Sequence, residues 1–141
     1  MGKTLDMRFI RYMNLFGKIT KIRAKHCFTY NNMIIFVVPR SKVLRAIGRN
    51  NSNLEKISRI LSKRIRIVAE PQDKTSDNIK LFIKTIVSPV RFNEILLQNG
   101  EATISAGREG KARLIGRGRI RQKELQDILE QYFGIRILKI A

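Results

Sequence analysis

The sequence predicts an α+β fold, an α/β sandwich made of two similar halves, each a three-stranded sheet covered by three helices on one face. Three observations lead there. Arg45-Ala46-Ile47-Gly48-Arg49 reappears as Arg113-Leu114-Ile115-Gly116-Arg117, an offset of 68 (113 − 45). The flanks keep step: Asn31-Asn32 falls on Asn99-Gly100, and Ile57, Ile60 and Leu61 fall on Leu125, Ile128 and Leu129. Ile65-Arg66-Ile67 then matches Ile135-Arg136-Ile137 at offset 70 (135 − 65), which implies a two-residue insertion. A repeat this long is one small domain duplicated, not a solenoid unit. The expected domains are residues 1–70 and 71–141.

The elements follow in order. Leu5, Phe9, Met13 and Phe16 recur at helical spacing, with Thr4 as the expected N-cap. Ile22, Ala24, His26, Phe28 and Tyr30 alternate with Arg23, Lys25 and Thr29, a strand period. Asn31-Asn32 makes a turn, and Met33 to Val38 is a short, fully apolar strand. Val43, Leu44 and Ile47 mark a short helix that stops at Gly48. Ser52-Asn53-Leu54-Glu55 reads as a capping box opening a helix through Leu54, Ile57, Ile60 and Leu61, and Ile65 to Val68 is the last strand. Residues 70–75 are the linker. The second half repeats the order. Ile79, Phe82, Ile83 and Ile86 form a helix face, and Val90, Phe92 and Leu96 take the strand positions of Ile22, Ala24 and Phe28. Asn99-Gly100 is a hairpin turn, and Ala102 to Ala106 is a strand. Lys111 to Ile115 is a helix, Leu125 to Tyr132 line another that Gly134 ends, and Ile135 to Ile140 closes the unit.

Charge then points to the partner. The formal net charge is +18. Residues 1–70 hold 16 basic and 3 acidic side chains, and residues 71–141 hold 13 and 8. Self-repulsion on that scale opposes compactness, so a polyanionic ligand is expected, nucleic acid first and an anionic membrane surface second. Cys27 is the one cysteine, which excludes an internal disulfide and a cysteine metal site. No signal-like apolar run opens the chain and none reaches membrane-spanning length, so a cytoplasmic location without membrane insertion is expected.

The repeated glycine carries the chemistry. A phosphate needs backbone N–H groups it can approach closely, and glycine allows both the approach and the bend. Each loop runs into a helix N-terminus, where unpaired N–H groups and the helix dipole favour an anion. Arg49 and Arg117 add charge-assisted donors. One glycine before an arginine is an ordinary helix stop. Two copies in the same frame of elements, in so basic a chain, favour a phosphate clamp.

The order of elements and the loop resemble the type II KH domain, whose signature is Gly-Xaa-Xaa-Gly between two helices. The tandem is similar to the KH–KH unit of the NusA family, most of all its short archaeal form, over nearly the whole chain. The resemblance implies single-stranded RNA as ligand, held by loops that clamp about four nucleotides. Carried over position by position, the clamps are Gly48-Arg49-Asn50-Asn51 and Gly116-Arg117-Gly118-Arg119. Lys42, Arg45 and Ile47 flank the first, and Lys111, Arg113 and Ile115 flank the second. The fourth position departs from glycine in both copies. Arg119 tolerates a left-handed backbone poorly, and Gly118 stands one place early, so a reshaped second turn is expected.

The implied function is binding of nascent transcript in transcription elongation or termination, as a monomer, with RNA polymerase as a further partner. Ribosomal RNA binding or ribosome assembly is the first alternative, and a module for DNA or membrane surfaces is the second. No enzyme, cofactor or metal is expected. Ser105 to Ala112 lacks the first glycine and the hydroxyl of a nucleotide loop. His26 alternates with Phe28 on a strand, Cys27 has no base partner, and the carboxylates show no paired spacing. Phe9, Phe16, Phe82, Tyr132 and Phe133 read as core, while Tyr12 and Tyr30 could stack on bases.

Overall fold

A computed structural model describes residues 7–141. Thr4 and Leu5, expected to open the first helix, lie outside the described residues. The chain forms two compact units, one ending at Glu70 and one running from Pro71 to Ala141.

The first unit runs α1 (Met7–Thr20), β1 (His26–Tyr30), β2 (Met33–Val38), α2 (Val43–Ile47), α3 (Ser52–Leu61) and β3 (Arg64–Ala69). Thr20, not a glycine, ends α1. Its hydroxyl donates to the Phe16 carbonyl at 2.8 Å and accepts from the Ile22 amide at 3.0 Å, while Lys21 turns left-handed at φ +62°. That turn consumes residues read as strand, so β1 starts at His26, although Ile22 and Ala24 are buried beneath it. The sheet order is β1-β2-β3, antiparallel then parallel. A parallel pair requires a crossover, and α2, the glycine loop and α3 supply it. Phe16 stacks on Phe36 with ring centroids 4.4 Å apart, in a core with Ile34, Val38, Ala46 and Ile57.

The second unit repeats this with α4 (Ser76–Val87), β4 (Glu94–Gln98), β5 (Glu101–Ser105), α5 (Arg108–Ile115), α6 (Ile120–Phe133) and β6 (Ile137–Ile140). Thr75 caps α4, its hydroxyl accepting from the Asn78 amide. The sheet order is β4-β5-β6, again antiparallel then parallel. Both hairpins turn on two residues of positive φ, Asn31-Asn32 at +51° and +61° and Asn99-Gly100 at +50° and +77°.

Two sequence expectations are corrected, the offset of the last strand and the cap of α3. In the second sheet Ile95, Ala102, Ile104 and Leu138 are buried, and Leu96 on the other face is 59 % exposed. In the first sheet all six residues of β2 are buried, so neither face of that strand meets water. An unbroken apolar run has no polar side to offer. The strand register also revises the repeat. Ile34 pairs with Ile65 and Ala102 pairs with Leu138, and Ile34 and Ala102 stand 68 apart. Ile65 therefore corresponds to Leu138, an offset of 73 (138 − 65), not to Ile135. The insertion is five residues, and most of it is one extra turn of α6, which has 14 residues against 10 in α3. Ser52 is the first helical residue of α3, not its N-cap. Asn51 occupies the cap position and no side chain bonds there.

Candidate functional site

Each crossover bends at its glycine. The Gly48 amide closes α2 on the Leu44 carbonyl at 3.0 Å, and the Asn51 amide reaches back to the Gly48 carbonyl at 3.2 Å. In the second unit Gly116 bonds Ala112 at 2.9 Å and Arg119 bonds Gly116 at 3.1 Å. Gly48 has φ +84° and ψ 165°, and Gly116 has φ +75° and ψ 168°, a region open in practice to glycine alone. Asn50 and Gly118 follow in the left-handed region, then Asn51 and Arg119. The second turn is not reshaped. Gly118 fills a third position that is left-handed in both copies, and Arg119 accepts the same strained backbone as Asn51.

The bends lie at the surface. Arg49, Asn50 and Asn51 in the first bend, and Arg117, Gly118 and Arg119 in the second, are all exposed. The N-termini of α3 and α6, immediately downstream, carry no side-chain cap. Such ends attract anions. Arg45, Arg49, Lys111, Arg113, Arg117 and Arg119 are exposed, Lys42 is half-buried, and none of these cations has a carboxylate partner among the described residues. Ile47 and Ile115 are half-buried behind the loops. Every loop candidate therefore lies on or next to one of the two bends.

Other candidates sort differently. Tyr30 is 3 % exposed and cannot stack on a base, and Tyr12 packs against the first core. His26 stacks on Phe28 at 5.7 Å with planes 4° apart. Burial holds its pKa below the ordinary value, opposed by Glu70. Burial pushes the Cys27 thiol up to about 12, which removes its nucleophilic form at neutral pH. Gly110 sits inside α5, where an added Cβ would land on the Arg91 carbonyl, so it serves packing. Among the described residues no group of three or more His, Cys, Asp or Glu could hold a metal ion, and no helix is long and apolar enough to cross a membrane.

Among the described residues, clefts lie against α3 and α5. One of about 460 Å³ lies between α3 and β3, lined by Leu54 and Ser58 together with Glu55, Arg59, Arg64 and Arg66. Burial and the neighbouring Arg64 lower the Arg66 pKa. The other, about 500 Å³, lies against α5 beside Arg108, Lys111 and Ile115.

No family model matches the chain. Two archaeal proteins do, along nearly their whole length. The probable transcription termination protein NusA of Halococcus morrhuae is 22 % identical, with 100 % of each chain covered. The protein of the same name from Thermoplasma acidophilum is 25 % identical over 97 % of this chain and 94 % of its own. The chain is NusA-like. The crystal structure of APE1850 superposes with a TM-score of 0.67 at 25 % identity, covering 97 % of this chain and 100 % of that one.

In this NusA-like chain the sequence reading missed the cleft residues Arg59, Arg64 and Arg66. The signal was present, since Arg64 and Arg66 alternate with Ile65 and Ile67 and so must share the face opposite the core. Which helix residue packs beside the intervening Ile65 depends on the register of β3, and the repeat alone placed that register wrongly.

Proposed function

We propose that the chain consists of two tandem type II KH domains, residues 1–70 and 71–141, that clamp single-stranded RNA in transcription termination or elongation. The observation that carries this reading is the shared backbone of the bends at Gly48 and Gly116, each placing an exposed arginine before a helix with no side-chain cap. A sugar-phosphate chain matches that arrangement, because successive phosphates can meet amide, dipole and guanidinium together. The net charge of +18 supports a polyanion. The names of the two archaeal relatives support transcription as the setting, with nascent transcript as ligand and RNA polymerase as a partner in the same process.

Competition among single-stranded RNA, duplex DNA and anionic liposomes tests the ligand class, and RNA is expected to win. Arg49→Glu with Arg117→Glu changes exposed side chains only and is expected to weaken RNA binding at least about a hundredfold with a native circular-dichroism spectrum. Neutralising about 4–8 phosphates gives a slope of log K against log salt of roughly −3 to −6. Unchanged affinity in the double variant, or a flat salt response, would remove the loops from the mechanism. Co-sedimentation with ribosomal particles rather than polymerase would move the chain to ribosome assembly.

A further inference from the structure

The excess charge of the first unit is not confined to its glycine loop. Lys18, Lys21, Arg23 and Lys25 fall within eight residues that hold no acid. Thr20 closes α1, and the chain then leads into β1 with Ile22 and Ala24 sunk in the first core. Alternation leaves Arg23 and Lys25 on the opposite side, and all four cations are exposed. None of the four has a carboxylate partner among the described residues. Lys21 stands at φ +62°, just past a helix end, where glycine fits freely and lysine is strained. Strained residues cluster at functional sites.

The second unit shows that the fold does not require these charges. The hairpins keep the offset of 68 (94 − 26), since His26 pairs with Val37 and Glu94 pairs with Ser105. At that offset the counterparts of the four cations are Ile86, Pro89, Arg91 and Asn93, one cation in place of four. The same connection, from α4 into β4, forms without the rest. The strip also joins the first loop. The Lys25 amide donates to the Val37 carbonyl at 2.6 Å, which sets it at the end of β2 from which Pro39 and the exposed Arg40 lead into α2. α2 is five residues long, about 7.5 Å, and ends at Gly48.

We propose that Lys18, Lys21, Arg23 and Lys25 form a phosphate track outside both glycine bends, which holds the sugar-phosphate chain of RNA beyond the nucleotides in the first clamp. The proposal rests on the RNA-binding reading above and adds a length requirement to it: the first unit engages more nucleotides than the second. Residues two apart on an extended segment stand about 6.6 Å apart, so successive cations can each meet a separate phosphate. Contacts of this kind position the strand without reading its bases. An acidic protein segment would suit the same charges, and RNA is favoured because the strip runs toward the loop that takes phosphate.

Fluorescence anisotropy on the full chain compares oligouridine of about 8 nucleotides, enough for four at each loop, with oligouridine of about twice that length. The variant carries Lys18→Gln, Lys21→Gly, Arg23→Gln and Lys25→Asn, all at exposed positions. It is expected to bind the short oligomer as the wild type does and the long one at least about tenfold more weakly, with a salt slope on the long one shallower by roughly 2–3. Lys21→Gly alone is expected to raise the urea midpoint while weakening the long oligomer about twofold to threefold. Stability and affinity then move in opposite directions, which a purely structural lysine does not produce, and this variant decides the matter if the fourfold one does not fold. Unchanged affinity for the long oligomer, or equal losses at both lengths, overturns the track while leaving RNA binding intact. Oligoglutamate that binds the wild type and not the variant, with RNA affinity unchanged, overturns it in favour of an acidic protein segment. Failure of the wild type to bind either oligouridine overturns the RNA-binding reading itself.

Discussion

Asn51 and Arg119 occupy the same left-handed backbone, φ +61° and ψ 25° in one, φ +62° and ψ 25° in the other. Asparagine visits that region with modest strain, and arginine pays more, about 1–2 kcal/mol. Arg119→Gly is therefore expected to stabilise the second unit by about 0.5–1 kcal/mol, after the loss of unfolded-state restriction. Asn51→Gly should gain less. Urea titration of both variants checks this, and a destabilised Arg119→Gly would mean that the arginine side chain holds the turn through its own contacts.

The loop glycines are not equivalent, and alanine separates them. At Gly48 an added Cβ would sit 2.7 Å from the Ser52 hydroxyl and 2.9 Å from the Asn53 amide nitrogen, on a backbone closed to other residues. At Gly118 it would meet nothing within 4 Å. Gly48→Ala is expected to cost at least about 3 kcal/mol and Gly118→Ala about 1 kcal/mol. Gly116→Ala should cost about as much as Gly48→Ala and clearly more than Gly118→Ala, because its Cβ would meet the Arg121 Cγ at 2.7 Å and the Arg121 backbone nitrogen at 3.0 Å. Thermal melts of the three variants give the ranking, and equal losses would refute it.

Gly110 reverses a propensity argument. Inside α5, replacement by alanine would ordinarily stabilise the helix by about 1 kcal/mol. The new methyl would instead collide with the Arg91 carbonyl, backbone that cannot rotate aside. Gly110→Ala is expected to destabilise the second unit by about 1–3 kcal/mol. A melting temperature at or above that of the wild type would show that the segment around Arg91 yields.

Cys27 sets a stability change at high pH. Burial raises its pKa from the ordinary 9.0 to about 12, so above pH 9 the unfolded chain releases a proton that the folded chain keeps. The folded state binds more protons there, and stability falls as pH rises. The loss is at most about 1.4 kcal/mol per pH unit between these two values and absent below them. Cys27→Ala should flatten the denaturation midpoint against pH over this range, and native protein at pH 8 should resist alkylation until unfolded. Rapid native labelling would contradict the burial.

Much of this molecule was legible in the residues. Asn99-Gly100 announced a two-residue hairpin because few residues besides glycine and asparagine accept consecutive positive φ angles. The repeated Gly48 and Gly116 marked where each crossover bends. Other features were hidden for identifiable reasons. Thr20 ended a helix by a side-chain bond that hydrophobic spacing does not register. Tyr30 falls in phase with Ile22, Ala24 and Phe28, and it is buried with them rather than free to stack on a base.

The sequence by itself determined the duplication, the mixed α and β content, the excess positive charge and the two glycine bends, all of which depend on local backbone chemistry or on counting. Only the tertiary structure decided which helix residue stands over which strand residue. One extra turn in α6 moves the strand register by five residues, so that Ile65 corresponds to Leu138. The reason is physical: pairing across a sheet edge is fixed by packing between segments far apart in the chain, and matching one half of a repeat to the other does not measure it.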